Sequence, residues 1–287
     1  MVVFIGIVLL TAAFTVRSLI NGSLIKVWYD LWIALPIGLG WFLAFTAAYF
    51  TFLYLLSLTI DLEKPVTKRS GFYRWLLDQT VSLILTLGRG EVQATGLEKL
   101  NDLPPFLLVA NHRSNFDPFV AIASCPKAQL AYVAKPAIFK IPITGRIVHK
   151  CFFLSIDREN DREALKTIKK ASQLINEGVV SIGIYPEGTR SKTGELLPFR
   201  NGSFKIAKWA NCPVVIARTT GTEKIAHRFA RRHTKTTFEV LDVLTAQEVS
   251  QMSTWEIDQY ARSLMLGNPP QPHNERRLEE NDIPRSV

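Results

Sequence analysis

A histidine and an aspartate near the middle of the chain have the residue types and the spacing that a proton-transfer site needs. They are His112 and Asp117, in the segment N-H-R-S-N-F-D-P at residues 111–118. On a helix, residues five apart point about 140° away from each other, so the two side chains can meet only in a loop. The apolar run 106–110 predicts a buried strand before them, and Pro118 suits the first helical position, which makes Asp117 the N-cap of a helix.

In such a loop the carboxylate can fix the tautomer of the imidazole and favour the imidazolium that forms when His112 takes a proton. That arrangement would make His112 a general base and Asp117 its orienting partner. The plainer alternative is that Asp117 only caps a helix and that His112 is only a loop residue.

A second segment, Y-P-E-G-T-R-S at residues 185–191, also follows a predicted strand. Its Pro and Gly favour a tight turn. Glu187 can bind hydroxyl groups or hold the loop, and Arg190 can bind a phosphate through two parallel hydrogen bonds. Taken alone, the segment is equally compatible with a surface turn carrying a solvated arginine.

Together, the two segments resemble motifs of the glycerolipid acyltransferase family, which includes the 1-acyl-glycerol-3-phosphate acyltransferases. The first family motif is N-H-x4-D, and the third is F-P-E-G-T-R-S, in which Tyr185 here replaces the Phe. Ile156-Asp157-Arg158 resembles the end of the second motif, although Ser155 stands where Phe is usual. Residues 212–217 resemble the apolar fourth motif, with Ala217 in place of a final Pro.

A further segment, Ala134-Lys135 with residues 139–142, resembles the part of the family that supplies a phosphate-binding lysine. The resemblance spans roughly residues 90–244. It implies transfer of a fatty acyl group from an acyl thioester to the sn-2 hydroxyl of 1-acyl-glycerol 3-phosphate, forming phosphatidate. The implied site residues are the catalytic pair His112 and Asp117, the phosphate-binding set Lys135, Arg158 and Arg190, and the acceptor-site residues Glu187, Gly188 and Thr189.

Several functional alternatives stay open on the sequence. The acceptor could be glycerol 3-phosphate or another lysophospholipid, and the donor could be acyl-CoA or acyl carrier protein. A membrane-bound thioesterase and a non-catalytic, membrane-tethered lipid-binding protein are rivals from other classes. No cofactor and no catalytic metal are expected, because the five histidines show no metal-ligand spacing.

Charge is distributed unevenly along the chain. Residues 1–62 carry four charged side chains that sum to zero, so the net charge of +9 falls on the remainder. A basic domain behind an apolar segment suggests an anionic surface or anionic substrates. Nucleic acid is disfavoured, because no basic run is interleaved with stacking aromatic residues. Three widely separated cysteines indicate reduced thiols in a cytosolic compartment.

The N-terminal region predicts a membrane anchor. Residues 31–60 carry no charge, and as a helix they would extend about 45 Å, more than a hydrocarbon core of about 30 Å requires. Residues 2–16 are apolar but fall short of the usual spanning length. The pair could form a hairpin in one leaflet or two tilted spans. Lys64, Lys68, Arg69 and Arg74 follow, which predicts a cytoplasmic catalytic domain.

Downstream, short apolar runs alternate with helical stretches, which predicts an α/β fold with a mostly parallel sheet flanked by helices. The predicted strands are 106–110, 129–134, 151–156, 179–185, 213–218 and 237–243, and the predicted helices are 159–177, 203–210 and 253–267. The predicted domains are membrane-anchoring helices at 1–62, an amphipathic connecting helix at 63–91, the catalytic domain at 92–266 and a disordered tail at 267–287.

Overall fold

The computed structural model describes residues 2–22, 24, 32–200 and 202–268. The chain divides into two compact units. The first contains Met1–Leu87 and Ala134–Ser155, and the second contains Gly88–Val133 and Ile156–Val287.

Within the described residues the helices are α1 (Val2–Asn21), α2 (Ala34–Leu58), α3 (Gly71–Leu87), α4 (Asp117–Ser124), α5 (Pro136–Phe139), α6 (Thr144–Lys150), α7 (Asp161–Asn176), α8 (Lys205–Ala210), α9 (Glu223–Arg228), α10 (Ala246–Gln251) and α11 (Thr254–Met265). The strands are β1 (Gly90–Thr95), β2 (Leu107–Ala110), β3 (Ala131–Ala134), β4 (Leu154–Ser155), β5 (Ile182–Ile184), β6 (Val214–Thr220) and β7 (Thr234–Leu244).

The first unit is built on the two apolar helices α1 and α2. Phe14 packs against Trp41 and Phe45, with ring centroids 4.9 and 5.2 Å apart. The indole N–H of Trp41 donates to the hydroxyl of Ser18 at 3.0 Å. Apolar and small polar groups therefore hold the two helices together.

Both helices are long and apolar enough to cross a membrane by length and composition. None of the most hydrophobic stretch of α1 is buried, and only 6% of that of α2 is, whereas a core helix of a soluble protein would be mostly buried. The α1 helix has 20 residues, about 30 Å, and runs through Arg17, so it is longer than the apolar run 2–16 suggested. The two helices are compatible with attachment to a membrane.

The end of α2 is held by the second segment of this unit. The guanidinium of Arg146, on α6, donates to the carbonyl oxygens of Ser57 at 3.2 Å and Ile60 at 3.0 Å. Ser57 lies in the last turn of α2 and Ile60 just beyond it, so the cation sits at the negative end of the helix dipole. The second segment thus anchors the C-terminal end of α2.

The second unit carries the mostly parallel sheet that the alternating pattern predicted, and the predicted fold class is confirmed. Six of its strands lie in the order β1-β7-β6-β2-β5-β3. The central pairs β2–β5, β2–β6 and β3–β5 are parallel, as is β1–β7, and β6–β7 is antiparallel. Every residue of β2 and β5 is buried, as expected for central parallel strands covered on both faces.

This topology fixes where the site lies. Strands β2, β5 and β6 are parallel neighbours, so their carboxyl ends meet at one edge of the sheet. The loop of residues 111–117 follows β2, the turn of residues 185–191 follows β5, and residues 221–222 follow β6. Loops at the carboxyl ends of adjacent parallel strands are the usual place for ligands in such folds.

Most predicted elements appear near their expected positions, including α3, α7, β6 and the capping box that begins α11 at Ser253. The strand predicted at 151–156 was wrong over its first half. Only Leu154–Ser155 is extended, because α6 runs to Lys150 and Phe152 adopts a positive φ of 64° in the turn after it. Most of the predicted tail, 269–287, lies outside the described residues.

Candidate active site

The imidazole of His112 and the carboxylate of Asp117 are hydrogen-bonded in the loop after β2. Nδ1 of the histidine lies 2.8 Å from Oδ2 of the aspartate. The Asp117 side chain is fully buried, whereas 17% of the His112 side chain is exposed. Because Nδ1 faces the carboxylate, Nε2 is the ring nitrogen left to accept a proton. The predicted contact between the two side chains is confirmed.

Asp117 accepts four hydrogen bonds, and none of them caps a helix. In addition to His112, Oδ2 accepts from the backbone N–H groups of Arg113 at 2.7 Å and Ser114 at 2.8 Å. Oδ1 accepts from the hydroxyl of Thr222. The N-cap prediction was wrong, because Asp117 is itself the first residue of α4 and Phe116 is the N-cap. The carboxylate points back into the loop instead of forward along the helix.

The backbone N–H and carbonyl groups of His112 each form a hydrogen bond with the turn after β5. Its N–H donates to Oε1 of Glu187 at 2.6 Å, and its carbonyl accepts from the N–H of Ser191 at 2.8 Å. The other oxygen of Glu187 accepts from the N–H of Leu197 at 3.0 Å. Burial raises the pKa of Glu187, and these two backbone bonds oppose that rise. Of its two predicted roles, Glu187 here fills that of holding the loop.

Residues at and just after the end of β6 form hydrogen bonds with the loop that carries His112 and Asp117. The side-chain amide of Asn111 donates to the carbonyl of Thr219 at 2.9 Å and accepts from its N–H at 2.7 Å. Thr222 then reaches Asp117, 105 residues earlier in the chain. Sequence reasoning missed Thr222, since a single threonine in no recognisable motif gives no signal.

Three aromatic rings are stacked at the start of the turn. Tyr185 lies parallel to the imidazole of His112, with centroids 4.2 Å apart and 10° between the planes. Its other neighbour is Tyr132, at 5.5 Å and 14°. Gly183 makes room for this stack, because a Cβ there would lie 2.4 Å from the Tyr132 ring. The stack holds the histidine ring in a fixed plane.

A cavity of about 480 Å³ adjoins the turn. Its lining carries three cations, Arg158, Arg200 and Lys205, against one carboxylate, Asp161. The rest of the lining is largely apolar and includes Val133, Ile156, Ala164, Leu165, Ile168, Ile184, Tyr185 and Pro186. A cavity of this kind suits a ligand that is anionic at one end and apolar at the other.

The cations of this cavity have no acidic partner within the described part of the chain, where none of them forms an ion pair. The pKa of Arg158 is lowered, first by burial and then by the nearby charge of Arg200. Arg158 is half-buried and Arg200 is exposed, and two guanidinium groups that repel each other favour an anion between them.

Arg200 is tied to the turn, although it lies outside the motif. Its N–H donates to the carbonyl of Pro186 at 2.8 Å. Its Nε lies where a side chain on Gly188 would begin, 2.6 Å from the ideal Cβ position. Sequence reasoning missed Arg200 and Lys205, because isolated cations in a basic protein are more often solvated.

Of the other predicted substrate-binding residues, only Gly188 lines the cavity. Gly188 is buried and lines the cavity, whereas Thr189 and Arg190 are exposed and are not among its lining residues. Lys135 belongs to the first unit, where it is exposed and precedes α5 as its N-cap. The predicted substrate contacts of Thr189, Arg190 and Lys135 stay predictions.

Comparisons with known proteins agree with the motifs. Residues 91–217 match the family described as Acyltransferase. A relative from Limnanthes douglasii, named 1-acyl-sn-glycerol-3-phosphate acyltransferase, is 32% identical over 155 residues, which cover 53% of this chain and 52% of that protein. A relative of the same name from Haemophilus influenzae is 27% identical over 159 residues, 55% of this chain and 66% of that protein. The chain thus spans about half to two thirds of the length of these relatives.

The fold has a counterpart among solved structures. It resembles the crystal structure of the 1-acyl-sn-glycerophosphate acyltransferase PlsC from Thermotoga maritima, with a TM-score of 0.54 and 22% identity. The likeness covers 83% of this chain and 90% of that one.

The segment that matches the Acyltransferase family contains the His–Asp pair that follows a central strand of the α/β sheet. Over this segment the chain is similar to the glycerolipid acyltransferases.

Proposed function

We propose that this protein is a 1-acylglycerol-3-phosphate O-acyltransferase. It moves a fatty acyl group from an acyl thioester to the sn-2 hydroxyl of 1-acyl-glycerol 3-phosphate, forming phosphatidate. The observation that carries the proposal is the His112–Asp117 contact, with the main chain of His112 bonded to the turn of residues 185–191. The names of the relatives from Limnanthes and Haemophilus support the choice of acceptor.

The reaction begins with a proton transfer. Asp117 holds the proton of His112 on Nδ1, so the lone pair on Nε2 accepts the proton of the sn-2 hydroxyl. The acceptor oxygen attacks the thioester carbonyl and forms the new C–O bond. Collapse of the tetrahedral intermediate breaks the C–S bond, and the thiolate leaves. A thiolate leaves readily because its pKa is near 8.5, and the imidazolium returns the proton to it.

Direct transfer of the acyl group, without an acyl-enzyme intermediate, agrees with the burial and raised pKa values of the cysteine thiols. Cys125, Cys151 and Cys212 are buried free thiols. Burial raises the pKa of each to about 12, so none offers a thiolate nucleophile near neutral pH. The sequence also lacks the G-x-S-x-G signature of a serine nucleophile elbow.

The acceptor binds by its phosphate at one end and by its acyl chain at the other. Arg158, joined by Arg200 and Lys205, offers the phosphate three cations in one cavity. The aliphatic side of the cavity, which includes Leu165 and Ile168, borders the apolar part of the lipid. Lys135 and Arg190 complete the proposed phosphate-binding set, and Glu187, Gly188 and Thr189 shape the turn beside it.

The membrane helices have a function under this proposal. Acceptor and product are both lipids, and exposing an acyl chain to water costs about 0.8 kcal/mol per CH₂. An enzyme attached to the bilayer by α1 and α2 avoids that cost. We propose that the catalytic domain lies on the cytoplasmic side, where soluble acyl thioesters are available.

The test is an in vitro assay of the full chain with lysophosphatidate and both acyl-CoA and acyl carrier protein as donors, beside His112→Ala. The substitution should lower kcat by roughly 10²- to 10⁴-fold, because it removes the general base. His273→Ala, in the predicted tail, is the matched control for loss of a histidine and should keep wild-type activity. An unchanged rate in His112→Ala would contradict the general-base role, and no transfer by the wild type from either donor would favour a non-catalytic lipid-binding protein.

An acceptor panel separates this proposal from its nearest rivals. Lysophosphatidate should be acylated much faster than glycerol 3-phosphate, lysophosphatidylcholine or lysophosphatidylethanolamine. A preference for glycerol 3-phosphate would assign a different acceptor to the same chemistry. Release of free fatty acid with no acceptor present would instead indicate a thioesterase.

A further inference from the structure

Thr222 lies two residues after the end of β6, and its side chain reaches the catalytic pair. It is fully buried, and its hydroxyl donates a hydrogen bond to Oδ1 of Asp117. Among the described residues this is the one hydrogen bond that Oδ1 accepts. Oδ2, by contrast, accepts from the imidazole of His112 and from the backbone N–H groups of Arg113 and Ser114. Separate parts of the chain therefore hold the two oxygens of the carboxylate.

The location of Thr222 would ordinarily give its hydroxyl a different role. The residue is the N-cap of α9, where a threonine side chain commonly accepts a hydrogen bond from a backbone N–H of the first turn. In the described part of this helix no such bond is present, and the residue has helical backbone angles instead of the extended ones of a capping threonine. Capping of α9 therefore does not account for the hydroxyl group, which is directed to Asp117.

The carboxylate of Asp117 needs a second point of attachment to have a defined plane. The torsion about its Cβ–Cγ bond has broad minima, so a well-held Oδ2 does not by itself determine where Oδ1 points. Asp117 is fully buried, and a buried acceptor without a donor is unfavourable. The hydroxyl of Thr222 satisfies Oδ1 and thereby fixes the plane in which Oδ2 meets Nδ1 of His112.

The end of β6 gives this contact a firm base. The side chain of Asn111, at the end of β2, forms two hydrogen bonds with the backbone of Thr219, at 2.9 and 2.7 Å. On the other side of Thr222, Ile225 is fully buried and holds the first turn of α9 in the core. Because both neighbouring segments are packed, Thr222 defines one position for the carboxylate of Asp117.

We propose that Thr222 is a positioning residue of the acyl transfer. By holding the carboxylate of Asp117, its hydroxyl keeps the proton of His112 on Nδ1 and keeps the lone pair of Nε2 directed at the acceptor hydroxyl. Thr222 touches neither substrate and acts only through Asp117. The inference rests on the proposed function, since it assigns a role in that same proton transfer.

The test removes the hydroxyl of Thr222 while keeping the shape of the side chain. In the full chain, purified in neutral detergent, Thr222→Val should lower kcat for acylation of lysophosphatidate about 10- to 100-fold, because a slightly misplaced catalytic group loses this much rate. The KM for lysophosphatidate should change less than about twofold, since Thr222 does not line the cationic cavity. Thr222→Ser keeps the hydroxyl and should stay within about threefold of the wild-type kcat.

Two comparisons allow for a change in stability. Thr234→Val is the matched control, because Thr234 is also fully buried but its hydroxyl has no hydrogen-bond partner in the described part of the chain. This control should keep the wild-type kcat. Thr222→Ser and Thr222→Ala differ by one oxygen atom, so the ratio of their kcat values isolates the hydroxyl group even if Thr222→Val does not fold.

A second readout shows whether Thr222 acts through the imidazole. In the His112→Ala background, adding Thr222→Val should leave the residual rate unchanged, because the group that Thr222 positions is already absent. Nitrogen NMR of histidine-labelled protein distinguishes the two neutral tautomers of the ring. It should show His112 protonated at Nδ1 in the wild type and a mixture of both tautomers in Thr222→Val.

Three results would overturn the inference. One is a wild-type kcat in Thr222→Val, and another is a Thr222→Ser variant as slow as Thr222→Ala. The third is an equal fractional loss from Thr222→Val in the wild-type and His112→Ala backgrounds, which would make Thr222 a purely structural residue. Failure of the proposed function looks different, because the wild type would then acylate lysophosphatidate from neither donor. In that case an unchanged tautomer of His112 in Thr222→Val would still overturn the inference.

Discussion

At the scale of single residues, Glu187 combines structural and electrostatic roles. The residue is 5% exposed, and its two carboxylate oxygens accept hydrogen bonds from the backbone N–H groups of His112 and Leu197. Burial nevertheless raises its pKa above the ordinary value of 4.5. In the pH range between 4.5 and the raised pKa, the folded protein therefore holds a proton that the unfolded chain has lost.

This difference makes a pH-dependent contribution to stability. As pH rises through that range, Glu187 becomes charged in a buried place, so the free energy of unfolding should fall for the wild type relative to Glu187→Gln, which cannot ionise. Urea unfolding of both proteins across pH 4 to 7 measures the difference. Glu195→Gln, exposed in the same loop, is the control for a lost charge. A stability difference that is flat with pH, or that changes in the opposite direction, contradicts the prediction.

The contact between His112 and Asp117 was predictable from the sequence, but the residues that hold the pair in place were not. His112 and Asp117 were predictable because both belong to a motif with a fixed spacing, and the spacing required a loop. The direction of the Asp117 carboxylate was not predictable, since it depends on Thr222, which reaches the loop only through the pairing of β2 with β6. Arg200 was missed for a similar reason, because only the folded turn brings it over Gly188.

At the scale of elements, the turn after β5 depends on a glycine for two reasons. Gly188 has a φ of 72°, which side chains with a Cβ rarely adopt, and a Cβ there would displace the guanidinium of Arg200. Gly178, just after α7, has a φ of 69° but open space around it. Substitutions of the two glycines therefore distinguish the effect of backbone strain, which both would cause, from displacement of Arg200, which only a change at Gly188 would cause.

Gly188→Ala and Gly178→Ala should each destabilise the protein by about 1–2 kcal/mol, because each forces an L-residue into the left-handed region. Only Gly188→Ala should also raise the KM for lysophosphatidate, since it moves Arg200 in the cationic cavity. Thermal unfolding and steady-state kinetics measure the two effects. Equal KM values in both variants would mean that Arg200 does not contact the acceptor.

Elements were predicted best where a periodic pattern was long. Helix α7 and strand β6 were found within about three residues of their ends, because both show sustained apolar patterns. Strand β1 was missed, because its side chains alternate between half-buried and exposed and include polar residues such as Gln93. The short helices α5, α6 and α9 are too brief for a periodic signal.

At the scale of the whole molecule, the lengths of α1 and α2 and the charges after α2 predict an arrangement in the bilayer. The α1 helix has 20 residues and α2 has 25, about 30 and 37 Å, so each is long enough to span a hydrocarbon core of about 30 Å. Of the four cations after α2, Arg74 is buried and paired with Asp78 at 3.0 Å. Lys64, Lys68 and Arg69 are exposed and favour the cytoplasm for that end.

If α1 and α2 each cross the bilayer, the residues before α2 face the outside of the cell and the second unit faces the cytoplasm. Trp32→Cys, at a residue 66% exposed before α2, should react with a membrane-impermeant maleimide on intact cells. Lys170→Cys, on exposed α7, should react only after permeabilisation. The wild type is the background control, because its three cysteines are buried and their pKa values are raised to about 12. Protection of both engineered thiols in intact cells would instead mean that α1 and α2 form a hairpin within the cytoplasmic leaflet.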